Sequence, residues 1–157
     1  MKPLFILLSL LMLGCSSDTP VNMDDALFDS GGRYKSVENQ KVYSGPGFKK
    51  YKNGKKQEEG PLEYGWKSGT WTGWYENGRK KFAGEYLEGV PHGPWTGFHS
   101  NGEKKYEGNY KFGHQVGKWI YFNKRGNKSL EEEYFMCEDD CDKSHPSLGK
   151  IIKSEKF

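Results

Sequence analysis

The sequence predicts an all-β protein, an open single-layer antiparallel sheet of stacked β-hairpins built from four 24-residue units. Three features of the 157-residue chain point there. The dipeptide Asn-Gly recurs at Asn53-Gly54, Asn77-Gly78 and Asn101-Gly102, at a constant interval of 24 residues. Trp71, Trp95 and Trp119 keep the same interval. Aromatics are abundant at 15% and glycines number 21, whereas hydrophobic content is only 34%. That composition suits short strands, tight turns and a core of rings; a helical bundle would want more Leu and Ala, and a disordered chain would lack the aromatics. The length fits one domain.

The first element is a targeting segment. Met1-Lys2 supplies a positive start, and Leu4 to Leu13 is an apolar run broken only by Ser9. A run of about 10 residues is too short to cross a bilayer, which takes about 20, but it suits the core of a secretory signal. It ends in Met12-Leu13-Gly14-Cys15-Ser16-Ser17. This resembles the lipobox of bacterial lipoproteins, in which a small residue precedes a cysteine that is lipidated and becomes the new N-terminus. The resemblance implies a signal peptide over residues 1–14, a lipid on Cys15 and, with Ser16 rather than Asp next, the outer membrane, with the domain on its periplasmic or surface face. Met12 stands where that family prefers Leu, and an ordinary cleaved signal with an incidental cysteine is the alternative. Removal of residues 1–14 takes away Lys2 alone among charges, leaving 23 basic and 21 acidic residues, net +2. So balanced a chain, exported, gives no footprint for nucleic acid.

Residues 15–41 are polar and aperiodic and read as a lipidated flexible tether, with a degenerate hairpin around Arg33–Tyr43 as the alternative. The repeat array then occupies 42–136, in units 47–70, 71–94, 95–118 and 119–136. Gly60, Gly84 and Gly108 form one column; Gly65, Gly89 and Gly113 another; Gly69, Gly93 and Gly117 a third. Leu62, Tyr86, Tyr110 and Tyr134 keep step, as do Phe82, Tyr106 and Leu130, and Lys56, Lys80, Lys104 and Lys128. A fixed period with several columns in register is the signature of a repeat array. Within a unit, Trp71 to Glu76 is aromatic and β-branched, hence a strand. Asn77-Gly78 reads as a two-residue turn with both central residues at positive φ. Arg79 to Glu88 returns, and Gly89 to Pro94 turns into the next unit. Arg125-Gly126 replaces Asn-Gly in unit four, so a different turn is expected there. A glycine facing an aromatic lets the ring lie flat across the neighbouring strand.

The pattern W-x-x-(Y/F)-x-x-N-G-x-x-K-x-(F/Y)-x-G-x-Y-x-x-G-x-x-x-G over residues 47–136 resembles the MORN-repeat variant of bacterial proteins. That resemblance implies an open sheet of stacked hairpins. Many bacterial members carry the label of antitoxin in a toxin–antitoxin pair, and eukaryotic MORN proteins are associated with membrane phospholipids and scaffolding.

Chemistry is sparse. His92, His99, His114 and His145 share no repeat column, and no nucleophile motif or carboxylate pair stands out, so no enzyme, cofactor or metal is expected. Cys137 and Cys141, in the 137–157 cap or tail, suit a disulfide in an exported protein; free thiols, or a metal shared with His145, are the alternatives. Alternation places Trp74, Phe98 and Phe122 on the face opposite Trp71, Trp95 and Trp119. That stripe, with Lys80 and Lys104 from the lysine column, is the candidate binding surface, since exposed apolar patches mark partner sites. The functional reading is an envelope-anchored, non-catalytic protein-interaction scaffold with an unidentified protein partner. Direct binding of phospholipid or envelope glycan is one alternative. An antitoxin-type neutralising protein is another, which the export signal disfavours.

Overall fold

The computed structural model describes residues 19–136 and 144–157. Cys15, Cys137 and Cys141 lie outside the described residues, so the expected lipid site and disulfide do too. The elements are β1 (Val21–Asn22), α1 (Met23–Ala26), β2 (Leu27–Ser30), β3 (Arg33–Ser36), β4 (Gly45–Lys50), β5 (Lys56–Glu63), β6 (Trp66–Lys67), β7 (Gly69–Trp74), β8 (Lys80–Leu87), β9 (Val90–Phe98), β10 (Lys104–Lys111), β11 (His114–Phe122), β12 (Lys128–Tyr134) and β13 (Ile151–Lys156). Among the described residues, eleven strands form one open sheet in the order β1-β4-β5-β7-β8-β9-β10-β11-β12-β13, with β6 paired to β5. The expected all-β array of hairpins is therefore the fold.

The glycine and tryptophan columns explain its thickness. A Cβ at Gly60, Gly84 or Gly108 would fall 2.5, 2.1 or 2.3 Å from the ring of Trp71, Trp95 or Trp119. Each indole thus lies flat on backbone that only glycine leaves bare. Gly73 and Gly97 do the same for Phe82 and Tyr106. Rings then tile one face: Phe82 stacks on Trp95 at 5.3 Å, while Tyr86 and Tyr110 meet it edge-on at 5.2 and 5.5 Å. Tyr110 also meets Trp119 at 4.9 Å. Trp119 ends up 1% exposed beneath the rings of its neighbours, while Trp71, 0% exposed, is covered as well by Met23 and Leu27 of the N-terminal segment. Burial pushes the Tyr86 and Tyr110 hydroxyls up to about 12.

The turns differ from expectation. The two-residue turns with both residues at positive φ are Tyr64-Gly65, Glu88-Gly89 and Phe112-Gly113, so β8 and β9 meet directly and Gly93-Pro94 lies within β9. At the other end only Gly78 of the Asn-Gly pair has positive φ. Tyr75 N–H bonds to Arg79 O and Gly78 N–H to Tyr75 O, both at 2.8 Å. The loop therefore has three residues, a turn followed by a left-handed glycine. Asn77 recurs for another reason. Its Oδ1 accepts from Arg79 N–H at 3.0 Å, and its Nδ2 donates to Ser100 O, in the next turn, at 2.9 Å. Asn101 repeats both bonds, the second to Lys124 O. The fourth turn is not of another type: Asn123 and Gly126 close it in the same way, with Asn123 Oδ1 taking Arg125 N–H.

The tether expectation for 15–41 is corrected by residues 21–36, which fold against the array. Unit one has Gly47 where later units have Trp, and Met23 fills that place, 2.9 Å from where a Cβ would stand. Met23, Leu27, Leu62 and Trp71 form one buried cluster. The N-terminal segment thus caps the first unit, as terminal units of arrays need. It holds the hairpin β2–β3, and the degenerate hairpin expected around Arg33–Tyr43 is present beside it: Lys35 bridges to Val42, Ser36 N–H bonds to Lys41 O and Tyr43 N–H to Tyr34 O.

Candidate functional site

Strand parity holds from each tryptophan to the end of its own strand, so Trp74, Phe98 and Phe122 lie on the face opposite the tryptophan column. A register shift in each return strand, just after Lys56, Lys80, Lys104 and Lys128, sets those lysines opposite the stripe positions. All three are half-buried. Lys56 Nζ sits 5.5 Å from the centre of the Trp74 ring, and Lys104 Nζ 5.6 Å from that of Phe122. Each lysine comes from the preceding unit and is anchored by a glutamate three residues on: Lys56 by Glu59, Lys104 by Glu107, Lys128 by Glu131. The lysine column is therefore a set of ion-paired arms laid over rings, their methylene stems covering apolar surface. Lys80 is the exception. Ala83 stands where its glutamate would be, and among the described residues Lys80 makes no ion pair. The stripe and the column touch each other, which single-strand alternation cannot reveal, because each contact joins two units.

The charge network is strongest at the last hairpin. Glu131 accepts from Lys118 at 2.8 Å and from Lys128, and these two ammonium groups hold its carboxyl down to about 2. On the tryptophan face, Lys67 and Glu58 form a half-buried pair at 2.7 Å, with Lys67 Nζ 4.1 Å from the Trp71 ring centre. Desolvation outweighs Glu58 and lowers the Lys67 pKa. Sequence reading missed this pair; the only signal was a lysine in a column otherwise Pro or Gln.

Three of the histidines have structural partners. His99 Nε2 bonds to Phe122 O at 2.8 Å, taking the role that the Tyr51 and Tyr75 hydroxyls play toward Trp74 O and Phe98 O at 2.7 and 2.6 Å. His92 packs on Phe112, and His145 stacks on Phe135. Among the described residues no three His, Cys, Asp or Glu side chains converge as a metal site, and no helix is long and apolar enough to cross a membrane.

The second candidate surface is the sheet edge at β13, which sequence reading left as part of a tail. Among the described residues it pairs only with β12, in the register Leu130↔Lys156, Glu131↔Glu155, Glu132↔Ser154 and Glu133↔Lys153, then, after a register shift, Tyr134↔Ile151. Phe157 N–H bonds to Ser129 O at 3.1 Å. Hydrogen-bonded and non-bonded pairs alternate along an antiparallel ladder, so Lys153, Glu155 and Phe157 turn their backbone groups toward β12. Ser154 and Lys156 turn theirs outward, and Ile152 sits at a register shift between Lys153 and Ile151. All six strand residues are exposed, Ile151 and Ile152 by 52% and 62%.

No family model matches this chain, and no curated protein matches it. The likeness to MORN repeats accordingly rests on the repeat residues themselves.

Proposed function

We propose that this chain is a non-catalytic interaction scaffold of the bacterial cell envelope, held at the outer membrane by lipid on Cys15, that takes on a protein partner by strand addition at β13. The observation that carries the reading is the open edge: outward-facing backbone at Ser154 and Lys156, beside two exposed isoleucines. Such an edge is a template for an extended segment, whose main-chain bonds supply affinity and whose side chains supply selectivity. The aromatic stripe is the less favoured docking surface, because lysine arms already lie over Trp74 and Phe122.

The test is chemical crosslinking of intact envelopes, followed by capture of the full chain and mass spectrometry, beside Cys15→Ser and Ser154→Pro variants. Proline at 154 removes an outward N–H and none that β12 uses. The proposal expects one protein in near-equal amount with the native chain, absent with Ser154→Pro. Recovery of lipid or glycan alone would favour the envelope-binding alternative. A partner retained by Ser154→Pro and lost in a Trp74→Ala/Phe98→Ala double variant would move the site to the stripe.

A further inference from the structure

The four three-residue turns line one margin of the sheet, and charge is concentrated there. Windows 50–56, 74–80, 98–104 and 122–128 hold ten basic and two acidic residues, net +8; the rest of the chain holds 14 and 19, net −5. Lys56, Lys104 and Lys128 are neutralised by strand glutamates. The other seven are exposed and form no ion pair among the described residues, Lys52, Lys55, Arg79, Lys80, Lys124 and Arg125 among them. Successive turns stand two strands apart, about 9.6 Å, so the row runs roughly 29 Å. The Tyr–carbonyl and Asn–carbonyl bonds between neighbouring turns hold the tips in fixed succession.

We infer that this row of turns is a binding ridge for a linear polyanion bearing repeated carboxylates, an acidic polysaccharide. The tips are exposed and convex, so they do not enclose a small anion. A linear chain can touch several tips at once, and each further contact is then intramolecular, which multiplies weak single-site attractions. The choice of polysaccharide over the anchoring bilayer rests on the envelope reading above and on chain geometry. β1 runs parallel to β4, which leads toward the first turn, so the chain before Val21 departs toward the opposite margin. The described chain thus enters the array from the margin away from the cationic turns.

The experiment titrates the full chain in nonionic micelles with polygalacturonate, followed calorimetrically, and separately with phosphatidylglycerol-doped micelles. A turn variant, Lys52→Gln/Lys55→Gln/Arg79→Gln, is set against an off-ridge control, Lys35→Gln/Lys41→Gln/Lys150→Gln, with the same loss of charge. The expected result is polymer binding that weakens about tenfold or more between about 50 and 200 mM salt, as counterion release dictates. At about 50 mM the turn variant should lose a further factor of about ten and the control less than about two, since only the former lowers the local charge that the polymer meets. Equal losses in both variants, or no binding to the polymer, would overturn the ridge. Binding to the doped micelles alone would assign the row to lipid headgroups instead. Neither variant touches the β13 edge, so failure here leaves the strand-addition proposal standing or falling on its own test.

Discussion

Replacing Gly108 by alanine adds one methyl group where the fold has room for none. Its Cβ would stand 2.3 Å from Cδ2 of Trp119, against 3.4 Å for ordinary contact, an overlap of 1.1 Å. The ring has little freedom to yield. Tyr110 flanks it at 4.9 Å and Tyr134 at 6.5 Å, and its Nε1 donates to Asn109 O at 3.1 Å. If the ring shifts in place, overpacking costs about 1–3 kcal/mol. If it leaves, roughly 150–250 Å² of buried surface is lost, or about 4–6 kcal/mol. Alanine stiffens the unfolded chain and returns about 0.4–1 kcal/mol. The net expectation is a loss of about 2–4 kcal/mol, a fall in melting temperature of roughly 5–15 °C for a chain of this size. Gly78→Ala is the comparison. Nothing lies within 4 Å of its Cβ, but φ is +85°, so it carries left-handed strain alone, about 1–2 kcal/mol. Thermal melting followed by circular dichroism and tryptophan fluorescence reads both variants. A Gly108→Ala protein that melts no lower than Gly78→Ala would refute the claim that the rings are seated on bare backbone.

Other expectations follow from the same contacts. Tyr75→Phe removes the 2.6 Å bond from its hydroxyl to Phe98 O in the next turn and should cost about 0.5–1.5 kcal/mol in urea unfolding; no shift in midpoint would show that the turn ladder is idle. Met23→Ala should cost about 2–5 kcal/mol, because this side chain is 1% exposed in unit one; a neutral result would return residues 21–36 to the status of a tether. The Glu131 carboxyl is depressed in the fold to about 2 by Lys118 and Lys128, so its contribution is present above its ordinary pKa of 4.5 and is lost as pH falls toward about 2. Acid titration of stability should therefore be shallower in Glu131→Gln over that window, and an unchanged profile would contradict the pairing.

The array was legible because its physics repeats. A glycine that must receive an indole leaves a mark every 24 residues, and strand parity then assigns Trp74, Phe98 and Phe122 to the opposite face. The turn chemistry misled, because Asn-Gly serves two loop lengths. Here asparagine is selected for its side-chain bonds to the next turn, while the two-residue turns use Tyr64, Glu88 and Phe112, residues with no turn signature. The capping segment was hidden because Met23 and Leu27 are isolated apolar residues without period. β13 was hidden because six residues following an acidic cysteine-containing stretch are too few to set a pattern. The lysine arms over the stripe were unreadable for a different reason: each pairs residues 18 positions apart, a distance that means nothing until the hairpins are stacked.

The most direct test of the open edge is residue-resolved amide hydrogen exchange on the full chain in nonionic micelles. The account predicts alternation along β13 beyond its register shift: slow exchange at Lys153, Glu155 and Phe157, whose N–H groups face β12, and fast exchange at Ser154 and Lys156. Protection of all five would mean that the edge is already covered, and fast exchange at all five would mean that β13 does not belong to the sheet; either would contradict it.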